Sequence, residues 1–136
     1  MKFHALILAA LVSVSWGAYS ASGSWVADDI GVTQTLRGVP TSSPVLRPTT
    51  PYVTADHRIV SVSWRIQLLS AAPNGLQMKL CSPSRCIDLN GGSGISRGLA
   101  GESATSPLTF VYMIQGQGRV NPPLQVMSNQ VIVNYQ

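Results

Sequence analysis

Two cysteines separated by a four-residue turn constrain this chain more than any other feature. The segment runs Leu76-Gln77-Met78-Lys79-Leu80-Cys81, then Ser82-Pro83-Ser84-Arg85, then Cys86-Ile87-Asp88-Leu89. Folded as a hairpin, it sets Cys81 opposite Cys86, Leu80 opposite Ile87, Lys79 opposite Asp88 and Met78 opposite Leu89. Each pair matches chemically. One face carries the four apolar side chains, and the other carries the two sulfurs and an opposite-charge pair. A slip of one residue would place Lys79 among the apolar side chains, so the register is well determined. Directly opposed strand residues lie about 4.5–5.5 Å apart, within reach of a Cys81–Cys86 disulfide. Such a bond belongs to an oxidising compartment.

The start of the chain fits that requirement. Lys2 supplies a positive end, Ala5 to Trp16 is uncharged and mostly apolar, and Ala18-Tyr19-Ser20 puts small residues at −3 and −1. Residues 1–20 are therefore expected to be a cleaved secretory signal, cut after Ser20. A membrane-spanning helix needs about 20 apolar residues, more than this run offers. No second apolar run follows, so the exported product is expected to be soluble, with no membrane span. Removing residues 1–20 from 136 leaves 116, a single domain over 21–136. A domain of that size buries a working core, so the disulfide reinforces the fold and does not create it. Loss of Lys2 takes the formal charge from +4 to +3. Arginines 37, 47, 58, 65, 85, 97 and 119 are scattered, with no aromatic-interleaved basic stripe, which argues against nucleic acid as a partner.

Periodicity points to an all-β fold. In Arg58–Leu69, Val60, Val62, Trp64, Ile66 and Leu68 alternate with Ser61, Ser63, Arg65 and Gln67, a half-buried strand. Leu108, Phe110, Tyr112 and Ile114 alternate with Thr109, Val111 and Met113, a strand covered in part on both faces. Val131, Val133 and Tyr135 share one face, whereas Leu124 and Val126 sit at even positions. The parity changes near Ser128-Asn129, which predicts a bulge or a strand that switches sheets. An early pair of strands is expected in Trp25–Leu36, with Ile30, Val32 and Leu36 facing in. Pro73-Asn74-Gly75, Asn90-Gly91-Gly92, Gly116-Gln117-Gly118 and Asn121-Pro122-Pro123 read as turns. Short strands between such turns, with no capped amphipathic helix, predict an antiparallel β-sandwich with a disulfide-closed hairpin. Immunoglobulin-like topology stays open, although the local cysteine pair is not the long-range bridge of antibody domains. Val39–Val53 carries Pro40, Pro44, Pro48 and Pro51 and reads as a long loop or irregular edge. Its alternative is a partner-binding segment offering unpaired backbone over Pro40–Pro51.

Catalytic and metal chemistry find little support. His57 is the one histidine after residue 20, and its neighbour Asp56 would point to the opposite face of a strand. Asp28 and Asp29 are adjacent and point apart, Asp88 is matched by Lys79, and Glu102 stands alone, so no glycosidase carboxylate pair is indicated. A disulfide and one histidine cannot close a zinc site. Gly91-Gly92-Ser93-Gly94 lacks the Lys-Ser/Thr ending of a phosphate loop and reads as a mobile turn. Trp25 and Trp64 could stack on sugars, but Trp64 lies on the apolar face of its strand and reads as core. The chain is thus expected to be a binding or structural protein, not an enzyme, with no cofactor and no metal.

Several blocks together carry a family likeness: Gly31-Val32-Thr33 with Arg37-Gly38, Val62-Ser63-Trp64-Arg65, and Leu80-Cys81-Ser82 through Ser84-Arg85-Cys86. Further blocks are Leu89-Asn90-Gly91, Ser93-Gly94, Pro107-Leu108 with Phe110-Val111, Gly116 with Gly118-Arg119, and the closing Ser128-Asn129-Gln130-Val131-Ile132-Val133-Asn134-Tyr135. On these residues the chain resembles the flagellar protein FlhE family of Gram-negative bacteria. The resemblance implies a small periplasmic accessory protein that binds a flagellar export-gate or rod/hook component, as a chaperone or a factor limiting proton leak. It carries over no catalytic residue. Arg65, Arg85 and Arg119, on an exposed strand face and on turns, are the candidate partner-binding residues, because arginine binds carboxylates and carbonyls and is enriched in interface hot spots. Two alternatives remain: a carbohydrate- or peptidoglycan-binding module with exposed aromatics, and a periplasmic enzyme inhibitor using the Ser82–Arg85 tip as a wedge. The sequence does not set the oligomeric state.

Overall fold

Nine strands and no helix make up residues 22–136, the part of the chain that the computed structural model describes. The signal expected over 1–20 lies outside the described residues. The strands are β1 (Gly23–Ile30), β2 (Thr33–Leu36), β3 (Thr41–Ser42), β4 (Ile59–Leu68), β5 (Leu76–Cys81), β6 (Cys86–Leu89), β7 (Ser93–Ser96), β8 (Thr109–Ile114) and β9 (Arg119–Tyr135). One sheet has the order β1-β9-β4-β7, with β2 also on β9, and the other has the order β3-β8-β5-β6. Every pairing is antiparallel. The expected β-sandwich is present. With β1 and β2 counted as one interrupted strand, its order is that of a jelly roll, two interleaved Greek keys.

The hairpin has the register expected of its sequence: Met78 opposite Leu89, Lys79 opposite Asp88, Leu80 opposite Ile87 and Cys81 opposite Cys86. Leu80 and Leu89 are buried, and Met78 and Ile87 pack against the core. Lys79 and Asp88 approach to 3.7 Å on the wet face, and the cysteines are joined.

Strand β9 organises the larger sheet. It pairs with β1 and then β2 along one side and with β4 along the other. Between Gln67 opposite Ser128 and Leu68 opposite Val126 the register shifts by one residue, at Met127. This bulge is the cause of the parity change: Leu124 and Val126 face in before it, and Asn129, Val131, Val133 and Tyr135 face in after it. The neighbouring chain breaks at the same level. Gly31 donates to the Met127 carbonyl, and a side chain at Gly31 would fall 1.9 Å from the Val126 carbonyl oxygen. Only glycine fits that approach.

Several expectations are corrected here. The two early strands follow one another along β9, and the break at Gly31 divides their parity. Trp25 and Ala27 therefore face in on β1 and Gln34 on β2, while Ile30 is 75% exposed. Val32 packs against the core as expected. Leu36 is 47% exposed because a second irregularity separates it from Gln34. On β4 a register shift between Ile59 and Ser61 puts Ile59, not Val60, in the core. Asn121-Pro122-Pro123 lies within β9 and is not a turn. Its prolines occur beyond the last β4 partner, Val126, and within the break in the β2 ladder between Leu124 and Arg119, so neither side needs a ladder donor there. Of Gly91-Gly92-Ser93-Gly94, only the first two residues turn, and Ser93 and Gly94 pair with β4 as part of β7.

The core lies between the sheets. Trp64 is buried, with its indole over Gly94 of β7 and its N–H donated to the Gly91 carbonyl at 3.1 Å. Trp25 is buried likewise and donates to the Ala104 carbonyl at 2.8 Å. The sheets are also joined by a polar pair. The Tyr112 hydroxyl of β8 donates to Asn129 Oδ1 of β9, and both residues are fully buried. Burial pushes the Tyr112 pKa far up, so the hydroxyl stays protonated and remains a donor.

Two outcomes follow. Because the disulfide closes a very short loop, Cys81→Ser/Cys86→Ser should still fold, with a loss of about 2 kcal/mol in urea unfolding. Tyr112→Phe strands a buried amide whose Nδ2 already has no partner among the described residues. It should cost about 1–3 kcal/mol, and an unchanged urea midpoint would show that the Tyr112–Asn129 bond is dispensable.

Candidate functional site

The tip of the β5–β6 hairpin is held from within and from outside. Ser82 N–H donates to the Arg85 carbonyl at 2.7 Å, and Arg85 N–H donates to Ser82 Oγ at 3.1 Å. Ser82 Oγ donates to Glu102 Oε1 at 2.9 Å, and Ser84 Oγ donates to the same oxygen. Arg85 adds an Nε at 3.6 Å from that carboxylate and an Nη2 donated to the Ala100 carbonyl at 3.3 Å. The Ser84 and Ser82 hydroxyls, helped by the Arg85 charge and against the effect of burial, hold the Glu102 carboxyl below its ordinary 4.5. Glu102, isolated in the sequence, is thus the anchor of the tip. Arg85 is half exposed but already engaged.

Arg65 stands elsewhere, on the outer face of the larger sheet. It lies opposite Gln130 on one side and Ser93 on the other, and Gln130 in turn lies opposite Asp28. Asp28, Arg65, Gln67, Ser128 and Gln130 line a depression of about 200 Å³. Arg119 is exposed at the start of β9, opposite Leu36. Gln130 lies eleven positions further along the same strand, roughly 36 Å at the usual rise. The three arginines are therefore not brought together: two flank opposite parts of the larger sheet and the third belongs to the other sheet's hairpin.

The proline-rich segment spends much of its backbone internally, as an irregular edge. β3 pairs with Tyr112 and Val111, Ser43 N–H donates to the Phe110 carbonyl at 2.8 Å, and Phe110 N–H donates to Ser43 Oγ at 2.9 Å. Leu46 exchanges both backbone bonds with Leu108, at 2.8 and 3.0 Å. Thr49 Oγ1 donates to the Val26 carbonyl of β1 at 2.8 Å, so the segment crosses from one sheet to the edge of the other.

The remaining ionisable and aromatic groups lie apart. His57 Nδ1 accepts from Thr54 N–H at 2.9 Å, and its ring packs on Tyr135 with centroids 4.9 Å apart. Asp29 accepts from Ile30 N–H at 2.7 Å. Among the described residues no three His, Cys, Asp or Glu side chains gather as a metal site would need. Tyr52 is the one exposed aromatic among them, since Trp25, Trp64, Phe110, Tyr112 and Tyr135 are buried. The stacking face that a sugar-binding module would present is not built from the tryptophans.

The Glu102 anchor has a pH signature. A carboxyl whose pKa is depressed on folding stabilises above its unfolded value, and that contribution is lost as pH falls through the folded value. The thermal midpoint of the protein should therefore exceed that of Glu102→Gln at neutral pH, and the gap should close as pH falls below 4.5. A gap that does not change with pH would rule out the carboxylate as the anchor.

Comparison with known proteins agrees with this architecture. A family model described as "Flagellar protein FlhE" matches residues 31–136. A "Flagellar protein FlhE" of Yersinia enterocolitica is 64% identical over 115 residues, 85% of this chain and 82% of that one. Its namesake in Escherichia coli (strain K12) is 41% identical over 116 residues, 85% and 87% of the two chains. A solved structure titled "Crystal Structure of FLHE" superposes with a TM-score of 0.80 at 43% identity, covering 85% of this chain and 97% of that one. A serine protease of Aeromonas sobria matches with a TM-score of 0.64 at 14% identity, over 85% of this chain and 27% of the protease, and shares the fold alone. By sequence along most of its length and by structure, the chain belongs to the flagellar protein FlhE family.

Proposed function

We propose that this flagellar accessory protein works in the periplasm without catalysis, by binding an export-gate or axial rod/hook component. Bound there, it acts as a chaperone of that component or as a factor limiting proton leak through the gate. The observation that carries the reading is the family match over most of the chain. The disulfide-closed hairpin supports an oxidising compartment. Surface binding is supported by the dispersal of the polar groups. Glu102 and Arg85 are engaged at the hairpin tip and His57 is taken by Thr54, whereas Arg65 stands on an open sheet face. The inhibitor reading retains one supporting observation, the braced tip at Ser82–Arg85.

Crosslinking in motile cells, followed by identification of the bound protein, tests the reading. Arg65→Ala, Arg85→Ala and Arg119→Ala should each fold, and at least one should lose the crosslink or fail to restore a deletion strain. Arg65 is the first expectation, because exposed arginines centred on an interface carry disproportionate binding energy. Wild-type behaviour of all three would remove these residues as the contact site.

A further inference from the structure

We propose that the free edge of β7 is a docking strand, to which an extended partner segment of alternating apolar and acidic residues adds as one more strand of the larger sheet. This gives a contact surface to the binding reading above and rests on it for its biological setting. In the β4–β7 pair, Val62 lies opposite Ser96, Ser63 opposite Ile95, Trp64 opposite Gly94 and Arg65 opposite Ser93. In the same register, Ile66 N–H donates to the Gly92 carbonyl at 2.6 Å. Bonded and non-bonded pairs alternate along an antiparallel ladder. Gly94 and Ser96 therefore turn their backbone groups toward β4, and Ser93 and Ile95 turn theirs outward. Among the described residues no hydrogen bond takes up those outward groups.

The other sheet ends are less suited to such a segment: β1 keeps some outward backbone groups without a partner among the described residues, but it carries Asp28 and Asp29, which would repel carboxylates. On β1 the same alternation turns even residues outward. There the Val26 carbonyl accepts from Thr49, and Ile30 N–H donates to Asp29. β3 is two residues long and lies between Pro40 and Pro44. Along β6, Gly98 packs so closely on Ile87 that an added Cβ would sit 2.4 Å from its Cγ2, and Asp88 adds a charge. Short strands, prolines, charges and covering loops are the usual defences of an edge. β7, Ser93-Gly94-Ile95-Ser96, is itself only four residues long, but it has no proline, charge or bulge.

The side chains around this edge define the partner. Ile95 is 68% exposed and shares the outer face with Ser63 and Arg65. Arg65 lies level with Ser93, and Arg97 follows the strand, both exposed. Neither β4 nor residues 89–101 contain an acidic residue, and Asp28, which lines the same depression as Arg65, makes no ion pair with it. A second copy laid antiparallel on β7 would bring the same arginines toward each other, and like charges across an interface are repulsive. An apolar side chain against Ile95, flanked by carboxylates near Arg65 and Arg97, fits instead. Backbone bonds to Ser93 and Ile95 give such a segment its affinity, and the side chains give its selectivity.

The test uses the purified protein and a blocked peptide of about eight residues alternating valine and glutamate, a typical strand length. By amide NMR, the peptide should shift the Ser93 and Ile95 resonances and slow their hydrogen exchange, and a valine–lysine peptide should do so far less. Ile95→Glu and, independently, Ser93→Glu should keep the thermal midpoint and weaken the peptide by about tenfold or more. The proposal is overturned if the two amides ignore the peptide, are already protected in the free monomer, or are protected by self-association. It is also overturned if Ile95→Glu fully restores a deletion strain. That result would leave the flagellar reading standing wherever Arg65→Ala fails to restore the same strain. Failure of the flagellar reading looks different: strand addition is seen in solution, yet no flagellar component crosslinks to any surface position.

Discussion

The reversal of side-chain parity at Met127 sits on a strand paired from both sides, so neither neighbour can ignore it. Without the extra residue, Val131, Val133 and Tyr135 would turn outward whenever Leu124 and Val126 turned in. β1 and β4 would then lose their partners in the core. The bulge is matched across the ladder by Gly31, whose missing side chain lets the backbone pass the Val126 carbonyl. It also carries Asn129 inward to meet Tyr112, so a local backbone irregularity creates the buried polar tie between the sheets. Apolar burial drives the sandwich together. The bulge decides which residues are available for it.

Much of this is legible in the amino-acid sequence alone. The hairpin register follows from four chemically matched pairs, and the bulge follows from a change of parity within one apolar run. What the sequence conceals lies where parity changes without an apolar signal. Ile30 and Val32 straddle the break at Gly31, and nothing in either side chain announces it. Val60 loses its core place to Ile59 for the same reason. Asn121-Pro122-Pro123 has the composition of a turn, and the absence of a β4 partner together with the break in the β2 ladder at that level lets it continue a strand. The jelly-roll order depends on which strands pair at long range, and alternation within a strand carries no information about that.

The candidate surface is less legible than the fold. Alternation alone places Arg65 correctly on an open face, because its strand is long and regular. Arg85 also lies on its turn as expected, but its engagement has no local signal, since Glu102 reaches it from a distant segment. The edge of β7 is hidden by its own composition: Gly, Ser and one isoleucine resemble a loop. The open side of such a strand is a property of the finished sheet, visible only once β4 has claimed its other side.

Gly94 joins that edge to the interior. A Cβ there would fall 2.6 Å from the Trp64 indole, so the ring occupies the space a side chain would need. A bulky residue at this position would therefore act on the core before it could shield the rim. Selection for a well-seated tryptophan and selection for an accessible rim thus fall on the same glycine. The sandwich can change the selectivity of its rim through Ser93, Ile95 and Arg97, but it cannot close the rim at Gly94 without repacking its own centre.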